Sequence, residues 1–122
     1  LTSANTTGNQ IEIQQTIVNL IANGNLLMVS PNNSGLYLDF TGQGHTIVNN
    51  VFVSPTLTSG THGIYVAASN PNTVVTGNVF ANLGQGVNLV GTSGWNVQAN
   101  SYQAVTTHVA NIGTNSVGVA TQ

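Results

Sequence analysis

A glycine followed by alternating apolar residues occurs three times in this chain, as Gly35-Leu36-Tyr37-Leu38-Asp39-Phe40, Gly63-Ile64-Tyr65-Val66-Ala67-Ala68 and Gly86-Val87-Asn88-Leu89-Val90. A second element follows each: Ile47-Val48-Asn49-Asn50-Val51-Phe52, Val75-Thr76-Gly77-Asn78-Val79-Phe80 and Val97-Gln98-Ala99-Asn100-Ser101-Tyr102. Asn50 and Asn78, Phe52 and Phe80, and Leu36 and Ile64 are all 28 residues apart, while Asn78 to Asn100 and Phe80 to Tyr102 span 22. Several features moving by one common offset define a structural repeat, and periods of about 20–50 residues restrict a chain to stacked, quasi-one-dimensional architectures.

The residue types decide what is stacked. Clustered β-branched residues, period-2 alternation and Asn/Gly turns point to short strands bent at corners, each coil hydrogen-bonding in parallel to the next. Leu36, Leu38, Ile64, Val66, Val87 and Leu89 are expected to point inward, with Ile47, Val75 and Val97 as a second apolar column. Phe52, Phe80 and Tyr102 form an aromatic column, and Asn50, Asn78 and Asn100 a ladder of amides. Boundaries near Gly8, Gly35, Gly63, Gly86 and His108 give about five coils in a single domain spanning residues 1–122. Residues 35–119 are the repeat coils, and 1–34 a first coil with a possible N-terminal cap. The first coil is aligned through Gly8-Asn9-Gln10-Ile11-Glu12-Ile13, 27 residues before the Gly35 segment, and through Thr16-Ile17-Val18-Asn19 as an echo of Thr46-Ile47-Val48-Asn49. Residues 14–22 also fit a capping helix, but their β-branched residues favour strand.

Composition narrows the partners. An ordinary domain is about a quarter charged; this one has no Lys or Arg and two acids, Glu12 and Asp39. Without cations, neither nucleic acid nor an anionic membrane surface is an expected partner. A 40 % hydrophobic content argues for a folded chain rather than a disordered one. With no cysteine, neither disulfides nor thiolate metal sites can form. No apolar run approaches the ~20 residues of a membrane-spanning helix. The chain opens at Leu1 rather than Met, so removal of a leader or flanking domain is expected. A nearly uncharged surface gives little repulsion between copies, which favours self-association.

The Asn-Val-Phe and Gly-apolar-x-apolar patterns resemble the parallel β-helix repeats of the pectate-lyase-like superfamily, which includes polysaccharide lyases, alginate epimerases and phage tailspikes. The resemblance covers most of residues 35–119. It implies an all-β fold, a right-handed single-stranded parallel β-helix. Lyase and epimerase members need a base beside their substrate's carboxylate and commonly Ca²⁺-binding acids, equipment that two acids and no Lys or Arg do not supply. The expectation is therefore a non-enzymatic structural or recognition module on a virion or cell surface, tailspike-like or a capsid decoration protein. Its partners would be copies of itself, a trimer being favoured, other surface subunits, and polysaccharide. A fragment of a polysaccharide-degrading or -modifying enzyme and a self-assembling extracellular filament are the alternatives, and no cofactor is implied.

Three sets of residues carry the candidate chemistry. Glu12 and Asp39, in equivalent positions of segments aligned 27 apart, would stand about 4.8 Å apart along the axis if those coils stack, near the carboxyl spacing of a retaining glycosidase. Tyr37 and Tyr65 alternate with inward aliphatics, so they face outward as a platform for sugar rings or for another subunit. Asn88, Asp39 and Thr41 would supply hydrogen bonds, and Trp95 would extend the platform or cover its coil. His45, His62 and His108 are the remaining bases; all read as corner residues, and a zinc site would require the three to converge.

Overall fold

In this computed structural model the described residues are 2–3, 8–90 and 94–110. Fourteen strands follow one another: β1 (Thr2–Ser3), β2 (Ile11–Ile13), β3 (Ile17–Val18), β4 (Ile21–Asn23), β5 (Leu26–Met28), β6 (Ser34–Leu38), β7 (Gly42–Gln43), β8 (Thr46–Val48), β9 (Val51–Val53), β10 (His62–Val66), β11 (Thr73–Thr76), β12 (Val79–Leu89), β13 (Trp95–Gln98) and β14 (Ser101–Ala110). Every pairing is parallel, so each coil lies on the next with its strands running the same way. The fold is a parallel β-solenoid of about four turns rather than the five expected, because the outermost strands β1 and the end of β14 belong to coils only partly within the described residues. No helix occurs among the described residues; residues 14–22 form β3 and most of β4, as their β-branched content predicts.

The strands fall into three sheets. One ladder stacks β2, β6, β10 and the C-terminal half of β12; another stacks β1, β5, β9 and the N-terminal half of β12, which runs unbroken through the corner and joins the two. A second sheet orders β13, β11, β8 and β4, and β3 pairs with β7 in a short third. Their inner faces meet in one core, where Leu36, Leu38, Ile47, Phe52, Ile64, Val66, Val75, Phe80, Val87, Leu89 and Val97 are buried, as the column assignment expects. Phe52 and Phe80 stack with centroids 5.1 Å apart, Phe80 and Tyr102 at 5.3 Å.

The asparagine column is the polar counterpart of that core. Asn50 donates from its backbone N–H and its Nδ2 to Asn78 Oδ1 at 2.9 and 3.0 Å, and Asn78 does the same to Asn100 Oδ1 at 2.9 and 3.0 Å. Each side-chain amide also reaches the preceding coil, Asn78 Nδ2 donating to Ile47 O at 2.9 Å and Asn100 Nδ2 to Val75 O at 3.0 Å. A buried amide is tolerated because every one of these groups is matched. Asn25 extends the ladder one coil down, its N–H and Nδ2 donating to Asn50 Oδ1 at 2.9 and 2.8 Å.

The corners repeat as strictly as the strands. The residue before each ladder asparagine has positive φ: Gly24 (69°), Asn49 (56°), Gly77 (67°) and Ala99 (54°). A second left-handed column precedes the β4–β8–β11–β13 sheet, with Asn19, Gly44, Asn72 and Gly94. Glycine and asparagine dominate because they enter this region at little cost, whereas an alanine pays about 1–2 kcal/mol.

Side-chain size sets the glycines of the first ladder. A Cβ at Gly35, Gly63 or Gly86 would press into the ring of Phe52, Phe80 or Tyr102, the aromatic residue of the same coil, and into the backbone carbonyl of Gly63, Gly86 or His108 in the next. The first coil carries Leu27 in the Phe52 column, and there Gln10 occupies the position of Gly35, its N–H bonding Ser34 O. The spacing of that coil is accordingly 25, with Ile11 paired to Leu36 and Ile13 to Leu38, not the 27 obtained by matching Gly8 to Gly35. The Thr16–Thr46 echo fails likewise: Ile17 pairs with Gly42, and Ala22 is the partner of Ile47. The turn residues 92–93, residues 111–112 and the C-terminal segment 115–122 lie outside the described residues.

Two substitutions test this construction by urea unfolding. Asn78→Ala orphans buried partners on both sides and is expected to cost about 1–3 kcal/mol. Ala99→Gly relieves a left-handed alanine at an exposed corner and should stabilise by about 0.5–1 kcal/mol, after the added flexibility of the unfolded chain is subtracted.

Candidate functional site

Alternation along the first ladder sends Glu12, Tyr37, Tyr65 and Asn88 to its outer face, in one row across β2, β6, β10 and β12. Tyr37 and Tyr65 lie side by side with ring centroids 5.4 Å apart and planes tilted by 40°. Tyr37 OH donates to Asp39 Oδ1 at 3.2 Å. The His62 ring leans on Tyr65 at 4.9 Å, with Nδ1 3.5 Å from Ser34 Oγ. Ser34, Tyr37, His62 and Tyr65, together with Asn9, Asn32 and Asn33, line a shallow, open depression of about 420 Å³. Sequence reading placed the tyrosines correctly but passed over His62 and Asn9 as members of the wall. The available signal was position: His62 precedes Gly63 as Ser34 precedes Gly35, three residues along the strand from the tyrosine row.

The 25-residue register changes the carboxylate geometry. Glu12 stands directly across from Tyr37, not from Asp39. The two acids are therefore diagonal neighbours, about 8 Å apart at their Cα atoms given ~4.8 Å between strands and ~3.3 Å per residue along them. Both are exposed. Glu12 accepts from Asn9 Nδ2 at 3.2 Å and from Gln14 Nε2. Desolvation, with the hydrogen bond to Asp39 and that carboxylate's charge adding to it, raises the pKa of Tyr37, while burial lowers that of His62.

Other expected site residues are placed elsewhere. Trp95 is fully buried, the largest side chain of the core, so it neither extends the platform nor offers area to a partner. Its β13 neighbours alternate outward while it fills the end of the second sheet's inner face. Asn88 is only 5 % exposed and donates to Gln85 Oε1 at 2.6 Å, which removes it from the set of free hydrogen-bonding groups. His45 is 1 % exposed and acts as a corner fastener: its Nδ1 accepts from Leu20 N–H at 3.2 Å and its Nε2 donates to Asn70 Oδ1 at 2.8 Å. Those two bonds fix the neutral Nε2–H tautomer. His108 stacks on Tyr102 at 4.3 Å, the last ring of the aromatic column among the described residues. The three histidines thus occupy three different parts of the solenoid, and among the described residues no group of His, Cys, Asp or Glu is arranged to hold a metal ion.

Comparison with protein-family models, curated proteins and solved structures finds no match to this chain.

The lowered pKa of His62 has a measurable consequence. The unfolded chain takes up this proton near pH 6.5 and the folded chain only at lower pH, so this group costs stability as pH falls below about 6.5 until the folded-state value is passed. Melting temperatures measured from pH 8 to pH 5 are expected to fall less steeply for His62→Gln than for the parent chain.

Proposed function

We propose that this chain is a non-enzymatic structural and recognition module of an extracellular or virion surface, which contacts glycans through the flank carrying Tyr37 and Tyr65. The observation that carries this reading is the paired, outward-facing tyrosine rings beside an open polar depression. Aromatic faces pack against the apolar faces of sugar rings, and surrounding amides and carboxylates satisfy the hydroxyls. A rigid parallel sheet holds both rings without the ordering cost that mobile loops would add. The pectate-lyase-like and tailspike resemblance of the repeats agrees with such a role. The near absence of charge favours work as a homo-oligomer, by preference a trimer.

Hydrolysis is the weaker reading. Glycosidic hydrolysis needs two carboxyls, and Glu12 and Asp39, with Cα atoms about 8 Å apart, are the pair available. Yet both acids are exposed, without the apolar enclosure that sets one carboxyl apart as a proton donor.

Titration calorimetry of the full chain against a panel of soluble oligosaccharides tests the proposal. Tyr37→Ala and Tyr65→Ala should each weaken the strongest interaction by about tenfold, the worth of one aromatic stacking contact, with an unchanged circular-dichroism melt. Binding that survives both substitutions would remove the tyrosine flank as the contact.

A further inference from the structure

Building on the glycan-contact reading, we propose that the tyrosine flank selects polymers of amino sugars bearing free ammonium groups and rejects uronate polymers. The whole chain of 122 residues has two acidic side chains and no Lys or Arg. The register brings both acids, 27 residues apart in sequence, to the edge of one aromatic platform: Glu12 lies across from Tyr37, and Asp39 accepts the Tyr37 hydroxyl. Tyr37 therefore has a carboxylate on two of its sides, Glu12 one coil away and Asp39 two residues along its own strand, with Tyr65 beside it. An ammonium group beside this ring can meet both carboxylates and the ring's negative face, three attractions of one sign. An uncharged sugar gains stacking and neutral hydrogen bonds without the charge.

A uronate meets the reverse arrangement. Its carboxylate would approach Glu12 and Asp39 with no Lys or Arg anywhere in the chain to offset them. His62 does not supply that charge, because its burial favours the neutral ring. The rings also set a direction. Glu12, Tyr37 and Tyr65 follow one another along the solenoid axis, one per coil, at about 4.8 Å, close to the advance of a single pyranose. A hexosamine chain laid along the axis can thus present successive sugars to successive coils.

The test titrates the full chain, in mildly acidic low-salt buffer, with four hexamers: β-1,4-linked glucosamine, its fully N-acetylated counterpart, galacturonate, and a lysine hexapeptide. The glucosamine hexamer should bind about tenfold tighter than the N-acetylated one, the scale of one or two exposed charge-assisted contacts, with no binding of galacturonate. The E12Q/D39N double variant should lose that preference, the two hexosamines then binding with equal affinity. Equal affinity for the two hexosamines, or a preference that persists in E12Q/D39N, would overturn the amino-sugar assignment and leave the glycan-contact reading standing. A lysine hexapeptide that binds as tightly as the glucosamine hexamer would reduce the flank to bare charge, also against the proposal. Failure of all three saccharides to bind would bring down the glycan-contact reading itself, and this inference with it.

Discussion

Parallel stacking obliges every residue to lie on its own counterpart in the next coil, and the rest of the molecule follows from that constraint. A core column must be apolar at every level, a corner must accept a left-handed residue at every level, and a buried amide must find another amide above and below. The asparagine ladder makes this most explicit. Asn25, Asn50, Asn78 and Asn100 are linked by the same pair of bonds at each step. A slip of one residue would break all of them and turn the inward columns to solvent. Coil length can nevertheless vary, because insertions are confined to corners: residues 54–61 bulge between β9 and β10, whereas Asn82, in a left-handed turn, takes the chain through the equivalent corner within β12.

Columns are also coupled to each other. Where a coil carries an aromatic residue in the Phe52 column, the first ladder of that coil requires glycine; where it carries Leu27, glutamine is admitted. The large rings fill space that would otherwise belong to a Cβ. The two faces of one ladder thereby differ in kind. Inside, Leu36, Ile64 and Val87 hold the coils together. Outside, Tyr37 and Tyr65 take their spacing from that packing without contributing to it.

Much of this is legible in the sequence because stacked columns need like residues. The aliphatic, aromatic and asparagine columns of the later coils could be read from common offsets, and so could the outward pairing of Tyr37 with Tyr65. The first coil resisted for the reason just given: glycine was used as the marker, but the marker is required only opposite an aromatic ring. Aligning Asn25-Leu26-Leu27 with Asn50-Val51-Phe52 recovers the 25-residue offset. The sequence left Trp95 either on the platform or covering its coil, because a single tryptophan beside a Gly-rich turn has no equivalent to align with; its pairing with Thr73 in β11 and its full burial exclude the platform. His62, expected at a corner, is the first residue of β10, and its place in the wall of the depression was not legible, since that role depends on how its ring leans on Tyr65 three residues along the strand.

The candidate site exists only if the first coil is in the 25-residue register, which brings Glu12 against Tyr37 and makes Asp39 its diagonal neighbour. The chain has no native cysteine, so paired cysteines report this register without interference. Directly paired positions about 4.8 Å apart can form a disulfide, while positions about 8 Å apart exceed its reach. Oxidation of the folded double variants E12C/Y37C and E12C/D39C, followed by mass spectrometry, should give a cross-link in the first and leave the second as free thiols. Efficient cross-linking of E12C/D39C with none in E12C/Y37C would restore the 27-residue alignment and contradict the structure of the site.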